Sequence, residues 1–282
     1  MKAVMRIARM EYSGFIRSTR VLVFFVVAVF MRAFIAQPFI ECAEAMGGRI
    51  SVFEPFMALC SSGMVMLIIP FGFVAMMADF PRAEPIEIFV QTRTAKRTWA
   101  AAQILFLVMV SLTYVVALLA ASCLMVLPCC SLQTDYSDTV KYYPQMFPEK
   151  SNGLVGTLIN GNLFNQLTLL QSLFNSLALI FLYMVLLGMV MLLSTVNNRR
   201  PAGLIADAAL LVFGIAFIFL SGKAKWVFPM AHTMINKHFS TFFSRMEFTL
   251  WGSYLYFGVT IAALGAASVI CARNYQAGRE NS

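Results

Sequence analysis

The chain has 282 residues, of which 60% are hydrophobic and only 12% charged, with 26 Phe and 19 Met; its mean hydropathy is +0.77. A soluble domain carries roughly 25% charged residues, so a water-soluble globule is excluded, and lipid is the solvent able to cover this much apolar surface. The net charge of +8 does not point to nucleic acid, because the basic residues flank apolar runs instead of gathering in one patch.

The first 20 residues form the clearest amphipathic element. At 100° per residue Lys2, Arg6, Arg9, Ser13, Arg17 and Arg20 share a narrow arc, with Val4, Ile7, Ala8, Tyr12 and Phe15 broadly opposite. This predicts a helix lying in the membrane interface, with Arg6, Arg9, Arg17 and Arg20 as anchors to lipid headgroups. Glu11 falls on the apolar side, where a carboxylate is expected to seek a cationic partner in the bundle.

About 20 apolar residues cross a bilayer. Six runs qualify, at 21–40, 57–78, 99–127, 167–196, 202–221 and 251–272. The expected fold class is an all-α integral membrane protein, with residues 1–282 a single transmembrane domain. Ala43-Glu44-Ala45 resembles a signal-peptidase site, but the apolar run before it exceeds a signal core of roughly 7–15 residues, so the first run is read as a retained span. The third and fourth runs are longer than needed and must tilt or project. Lys and Arg divide 13 to 7 between the two sides if the N-terminus is inside, with Arg32 within a span. That excess predicts both termini on the cytoplasmic side.

Charges inside spans mark candidate sites. Arg32 lies 11 residues into its run and Asp207 five, depths of roughly 17 and 8 Å, so a direct bridge is not expected. Arg32 is expected to snorkel outward, the more so if Gln37-Pro38 ends its helix. Gln171, Asn175 and Ser176 in the fourth run are candidates for a polar seam facing Asp207.

Between spans two and three, an inner loop carries Glu87, a short apolar face of Ile86, Phe89 and Val90, and then Arg93, Lys96 and Arg97. An apolar face among charges suits either docking to a partner or a helix on the membrane. The outer segment 129–166 is polar and reads as a loop or small cap. Segment 222–250 interleaves Trp226, Phe228, Phe239, Phe242, Phe243 and Phe248 with Lys, Arg and His. It is expected to form short helices dipping into the outer leaflet, which is tolerated only when packed on protein or lining a cavity.

The chain contains no G-x-x-x-x-G-K-[ST], H-E-x-x-H or G-x-S-x-G motif. His232 and His238 are six apart, a poor spacing for two ligands on one helix, and the six cysteines form no zinc-type pair. No catalytic, cofactor or metal site is therefore expected.

Together these parts resemble the permease subunits of type-2 ATP-binding-cassette exporters: an amphipathic N-terminal helix, a charged inner loop, the short basic turn Asn197-Asn198-Arg199-Arg200-Pro201 and an aromatic outer hairpin. In that family the loop after span two runs acidic residue, amphipathic helix, hydroxyl, basic residues, and Glu87, Ile88, Phe89, Thr92, Arg93, Lys96 and Arg97 occupy this pattern. The family's Gly within that helix and Pro near its end are missing here, and Gln103 stands where a Lys is common. The resemblance implies a half-transporter in the cell membrane, paired with a second permease subunit and driven by a separate ATPase that binds ATP and magnesium and grips the inner loop. The substrates implied are a peptide, drug, lipid or polysaccharide. The alternatives are a secondary transporter or channel, a non-transporting scaffold or sensor subunit, and a membrane enzyme, for which no cluster of reactive groups is visible.

Overall fold

The computed structural model describes residues 2–81, 93–151, 161–220, 222–240, 245–272 and 275. Among them, five helices are long and apolar enough to cross a membrane, and a bent pair makes a sixth if counted as one span. This is compatible with a multi-pass helical membrane protein.

The amphipathic start folds as α1, Lys2–Ile16, burying Ile7, Ala8 and Phe15. Its contacts fall on α6, Lys96–Met125. Phe15 meets Phe106 edge to face, Gln103 donates to Glu11 at 2.7 Å, and Tyr12 bonds Thr113 at 2.7 Å. From Gln103 to Thr113 the rise is about 15 Å, so α1 leans along the flank of α6 instead of lying only across its end. Fully buried Ala8 permits the close approach, and protein replaces lipid as the cover for the apolar face. Glu11 thus has an amide partner within the bundle.

A 3-10 turn, Thr19–Val21, leads into the first span, continuous from Thr19 to Met46. It comprises α2, Leu22–Met31, a π turn at Arg32–Ala36 and α3, Gln37–Met46. The helix does not end at Gln37-Pro38. Pro38 lacks the N–H that would bond the carbonyl four residues back, and the turn before it widens into the π form. Gly47, at φ 60°, closes α3 in the left-handed geometry glycine adopts without penalty.

The second run is not one straight helix. α4, Glu54–Ser61, and α5, Gly63–Met76, meet at an 86° bend. Ser61, Ser62 and Gly63 are weak helix formers, and the chain bends where they stand. The remaining spans follow the runs closely: α6, then α8, Leu169–Val196, α9, Arg200–Phe219, and α11, Leu250–Cys271. α8 starts with a capping box of Thr168 and Gln171 and is the central helix, packed on α6, α9 and α11. A Cβ at Gly188 would collide with Leu107 of α6, and one at Gly203 would lie 2.9 Å from Ser194 Cβ. Glycine at these two points sets how closely α6 and α9 approach α8.

In the described part of segment 129–166, a compact cap replaces an open loop. α7, Asp138–Met146, is capped by Ser137 and packs on α3. Two residues on each side form a small parallel ladder, β1 (Ile50–Ser51) with β2 (Cys130–Ser131). All six cysteines are free.

Candidate functional site

The segment joining α9 to α11 returns into the bundle. Lys223–Val227 forms a 3-10 turn, α10 covers Pro229–Thr233 with proline in its first turn, and Ile235–His238 forms a second 3-10 turn. Met230, Ala231, Met234 and Ile235 are buried. Helices this short leave most of their backbone groups without intrahelical partners, so an interrupted segment sits inside an apolar bundle only where surrounding protein buries it or it lines a cavity. Several of its polar side chains find partners. Asn236 donates to Ser61 O at 2.9 Å, taking up a carbonyl at the bend between α4 and α5. Lys225 pairs with Glu247 at 2.6 Å. Within the described part of 222–250, the short helical stretches Lys223–Val227, Pro229–Thr233 and Ile235–His238 pack against the bundle.

Its two imidazoles converge on α11. His232 Nδ1 and His238 Nε2 each lie 2.8 Å from Ser253 Oγ. On their other edges, His232 Nε2 lies 2.8 Å from Trp226 O and His238 Nδ1 lies 3.1 Å from Met234 O. Trp226 stacks on Phe248 and Tyr256 stacks on His232 at 4.2 Å, so aromatic faces wall the pair. Burial pulls His232 below the usual histidine value, and it pushes His238 down to about 4, aided by the charges of His232 and Lys225. The six-residue separation argues against a shared ligand only on one continuous helix. Here the rings stand on two separate turns, with Met234 extended between them, so the chain doubles back and brings them together.

Asp207 is fully buried on α9, and neither carboxyl oxygen has a hydrogen-bond partner among the described residues. It acts electrostatically on Tyr183 of α8. The polar seam expected from Gln171, Asn175 and Ser176 does not reach it. Gln171 closes the capping box with Thr168, Asn175 bonds Gln171 O and the Tyr254 hydroxyl, and Ser176 faces Met57 Sδ. Asp207 and Gln171 sit toward opposite ends of the antiparallel pair α8 and α9, which is the physical reason for the miss. Arg32 is exposed and donates to Met125 O at 3.1 Å, placing a cation at the negative C-terminal end of α6.

Of the anchor residues, Arg6, Arg9 and Arg17 are exposed, and Arg20 forms an ion pair with Asp79. Glu87, Ile86, Phe89 and Val90 lie outside the described residues. Arg93, Lys96 and Arg97 stand exposed at the start of α6, where Lys96 also donates to Tyr275 O at 2.8 Å.

One buried carboxylate escaped the sequence reading. Glu54, at the start of α4, accepts from Ser51 N at 2.8 Å, Ser137 N at 2.6 Å and Ser137 Oγ at 2.9 Å. It pins the cap to the bundle. Its signal was a carboxylate beside Pro55, just before an apolar run. Ser253 had no signal, because one serine in an apolar helix is unremarkable until its partners are known.

Among the described residues, no group of three or more His, Cys, Asp or Glu side chains is placed to hold a metal ion. Compared with protein-family models, curated proteins and solved structures, the chain matches none.

Proposed function

We propose that this chain is the permease subunit of an ATP-binding-cassette exporter, working with a second permease subunit and with a separate ATPase that binds ATP and magnesium. The observation that carries the reading is the aromatic hairpin between α9 and α11, folded back into the bundle at the bend of α4 and α5. A short-helix hairpin buried among the spans and held by side-chain contacts is suited to line a transport path and to move with the spans. In this reading both termini face the cytoplasm, and the basic start of α6, with Arg93, Lys96 and Arg97, flanks the ATPase grip. Lipid or the second subunit covers the outward faces of α9 and α11, and the cargo is a peptide, drug, lipid or polysaccharide.

The secondary-transporter reading is favoured by one observation, the buried Asp207 without a hydrogen-bond partner among the described residues. A carboxylate of this kind inside a bundle is a natural carrier of a coupling proton. Gentle purification of the chain from its native membrane separates the two. Recovery of an ATPase in stoichiometric amount, with ATP-dependent transport, is the expected result. Proton-driven transport by the isolated chain in liposomes, with no ATPase recovered, would overturn the exporter reading.

A further inference from the structure

Each imidazole of the pair is anchored on one edge by a main-chain carbonyl, Trp226 O for His232 Nε2 and Met234 O for His238 Nδ1. A carbonyl can only accept, so each of these nitrogens carries a hydrogen. The opposite nitrogens both face Ser253 Oγ at 2.8 Å. If both rings are neutral, these two nitrogens are lone pairs, and the hydroxyl has one hydrogen to offer them. One contact then sets lone pair against lone pair in a dry site, where an unmet acceptor is costly. One added proton removes the conflict: an imidazolium donates to Oγ while the O–H donates to the other ring. A second proton restores a fault, with two cations one serine apart and an O–H left without an acceptor.

We propose that His232, Ser253 and His238 form a site that binds one proton, shared by the two imidazoles through the serine hydroxyl. Transfer between the rings is a paired shift. The N–H bond of one ring breaks as its proton joins Oγ, and the former O–H proton joins the nitrogen of the other ring. The hydroxyl ends with one hydrogen, as it began, and no further reactant is consumed.

The surrounding groups set where this happens. Lys225 opposes a charge on His238 and is itself paired with Glu247. Lys237 is partly buried beside them. On the helices packed against the hairpin, the titratable groups are Tyr254, Tyr256 and Cys271 of α11, Tyr183 of α8, Arg200 and Asp207 of α9, and Glu54 and Cys60 of α4. The Tyr256 hydroxyl is turned to Val227 O, and Glu54 is held by Ser51 and Ser137. Burial opposes the cation and outweighs the hydrogen bonds that favour it at both rings, so uptake falls below the ordinary histidine value of about 6.5.

The chain contains two histidines, both in this site, so nitrogen-15 histidine labelling of the full chain in lipid nanodiscs reports on nothing else. The ring-nitrogen signals are followed from above the ordinary histidine value down to about pH 4. The expected result is one proton taken up per chain, with both rings changing together around a common midpoint. Two protons taken up, none, or one ring titrating alone would each overturn the proposal. In Ser253→Ala, if it elutes and melts as a folded protein, the rings are expected to lose their common midpoint, and an unchanged shared transition would also overturn it. If that variant does not fold, the wild-type titration decides by itself. The measurement involves no transport, so its outcome is independent of the exporter reading.

Discussion

Glu54 illustrates what one side chain does when three donors are aimed at it. Its carboxylate is fully buried and accepts from two main-chain N–H groups and a hydroxyl, and hydrogen bonds to a charged group contribute about 1.5–3 kcal/mol each. Glu54→Gln turns one acceptor into a donor facing donors, and we expect the cap to loosen by about 2–3 kcal/mol. Cys42 lies buried under that cap, beside Thr139 O, so its reaction with a maleimide should accelerate; an unchanged rate would refute the role given to Glu54. The histidines make a second prediction. In the unfolded chain they titrate near about 6.5, whereas burial lowers both in the folded chain. Between those values the unfolded chain binds more protons than the folded one. Their contribution to stability is therefore complete above about pH 6.5 and is lost as the pH falls toward 4. Thermal unfolding across that range should show the decline, and His238→Gln should flatten it. A wild-type midpoint that did not move would contradict this.

Helix spacing is decided at glycines. Gly188 admits Leu107 against the backbone of α8, bringing α6 and α8 together along the middle of the bundle. Gly188→Val overfills that contact, with an expected loss of about 1–3 kcal/mol, and Leu107→Ala in the same chain should restore much of it because the two changes share one space. Additive losses in the double variant would show that Gly188 serves something other than this contact. The bend between α4 and α5 is another feature of this scale. Weak helix formers open it, and Asn236 of the hairpin then occupies the carbonyl that the break leaves at Ser61.

For the molecule as a whole, the first question is which way it faces. The basic residues divide in favour of a cytoplasmic N-terminus, and the proposed topology has Thr94 inside and the cap outside. Tyr136 of the cap is buried, but Asp135 beside it is exposed. In a background free of native cysteines, an impermeant thiol reagent applied to intact cells should label Asp135→Cys and leave Thr94→Cys unmodified. The reverse pattern would invert the topology and, with it, the assignment of the hairpin to the outer side.

The helices able to span a membrane were legible in the sequence because lipid imposes a local rule: about 20 consecutive residues must be apolar. The runs at 167–196, 202–221 and 251–272 appear as Leu169–Val196, Arg200–Phe219 and Leu250–Cys271. The amphipathic start was legible for a similar reason, its cations recurring at helical spacing. The site was not. Glu54 meets Ser137 across 83 positions, Asn236 meets Ser61 across 175, and Ser253 stands 21 and 15 positions from its two histidines. The bend at Ser62, the lean of α1 along α6 and the isolation of Asp207 likewise depend on which helix faces which. Transfer into lipid is a property of a segment and can be read residue by residue. The meeting of two polar groups in a bundle is a property of pairs, and only the packing of the helices decides it.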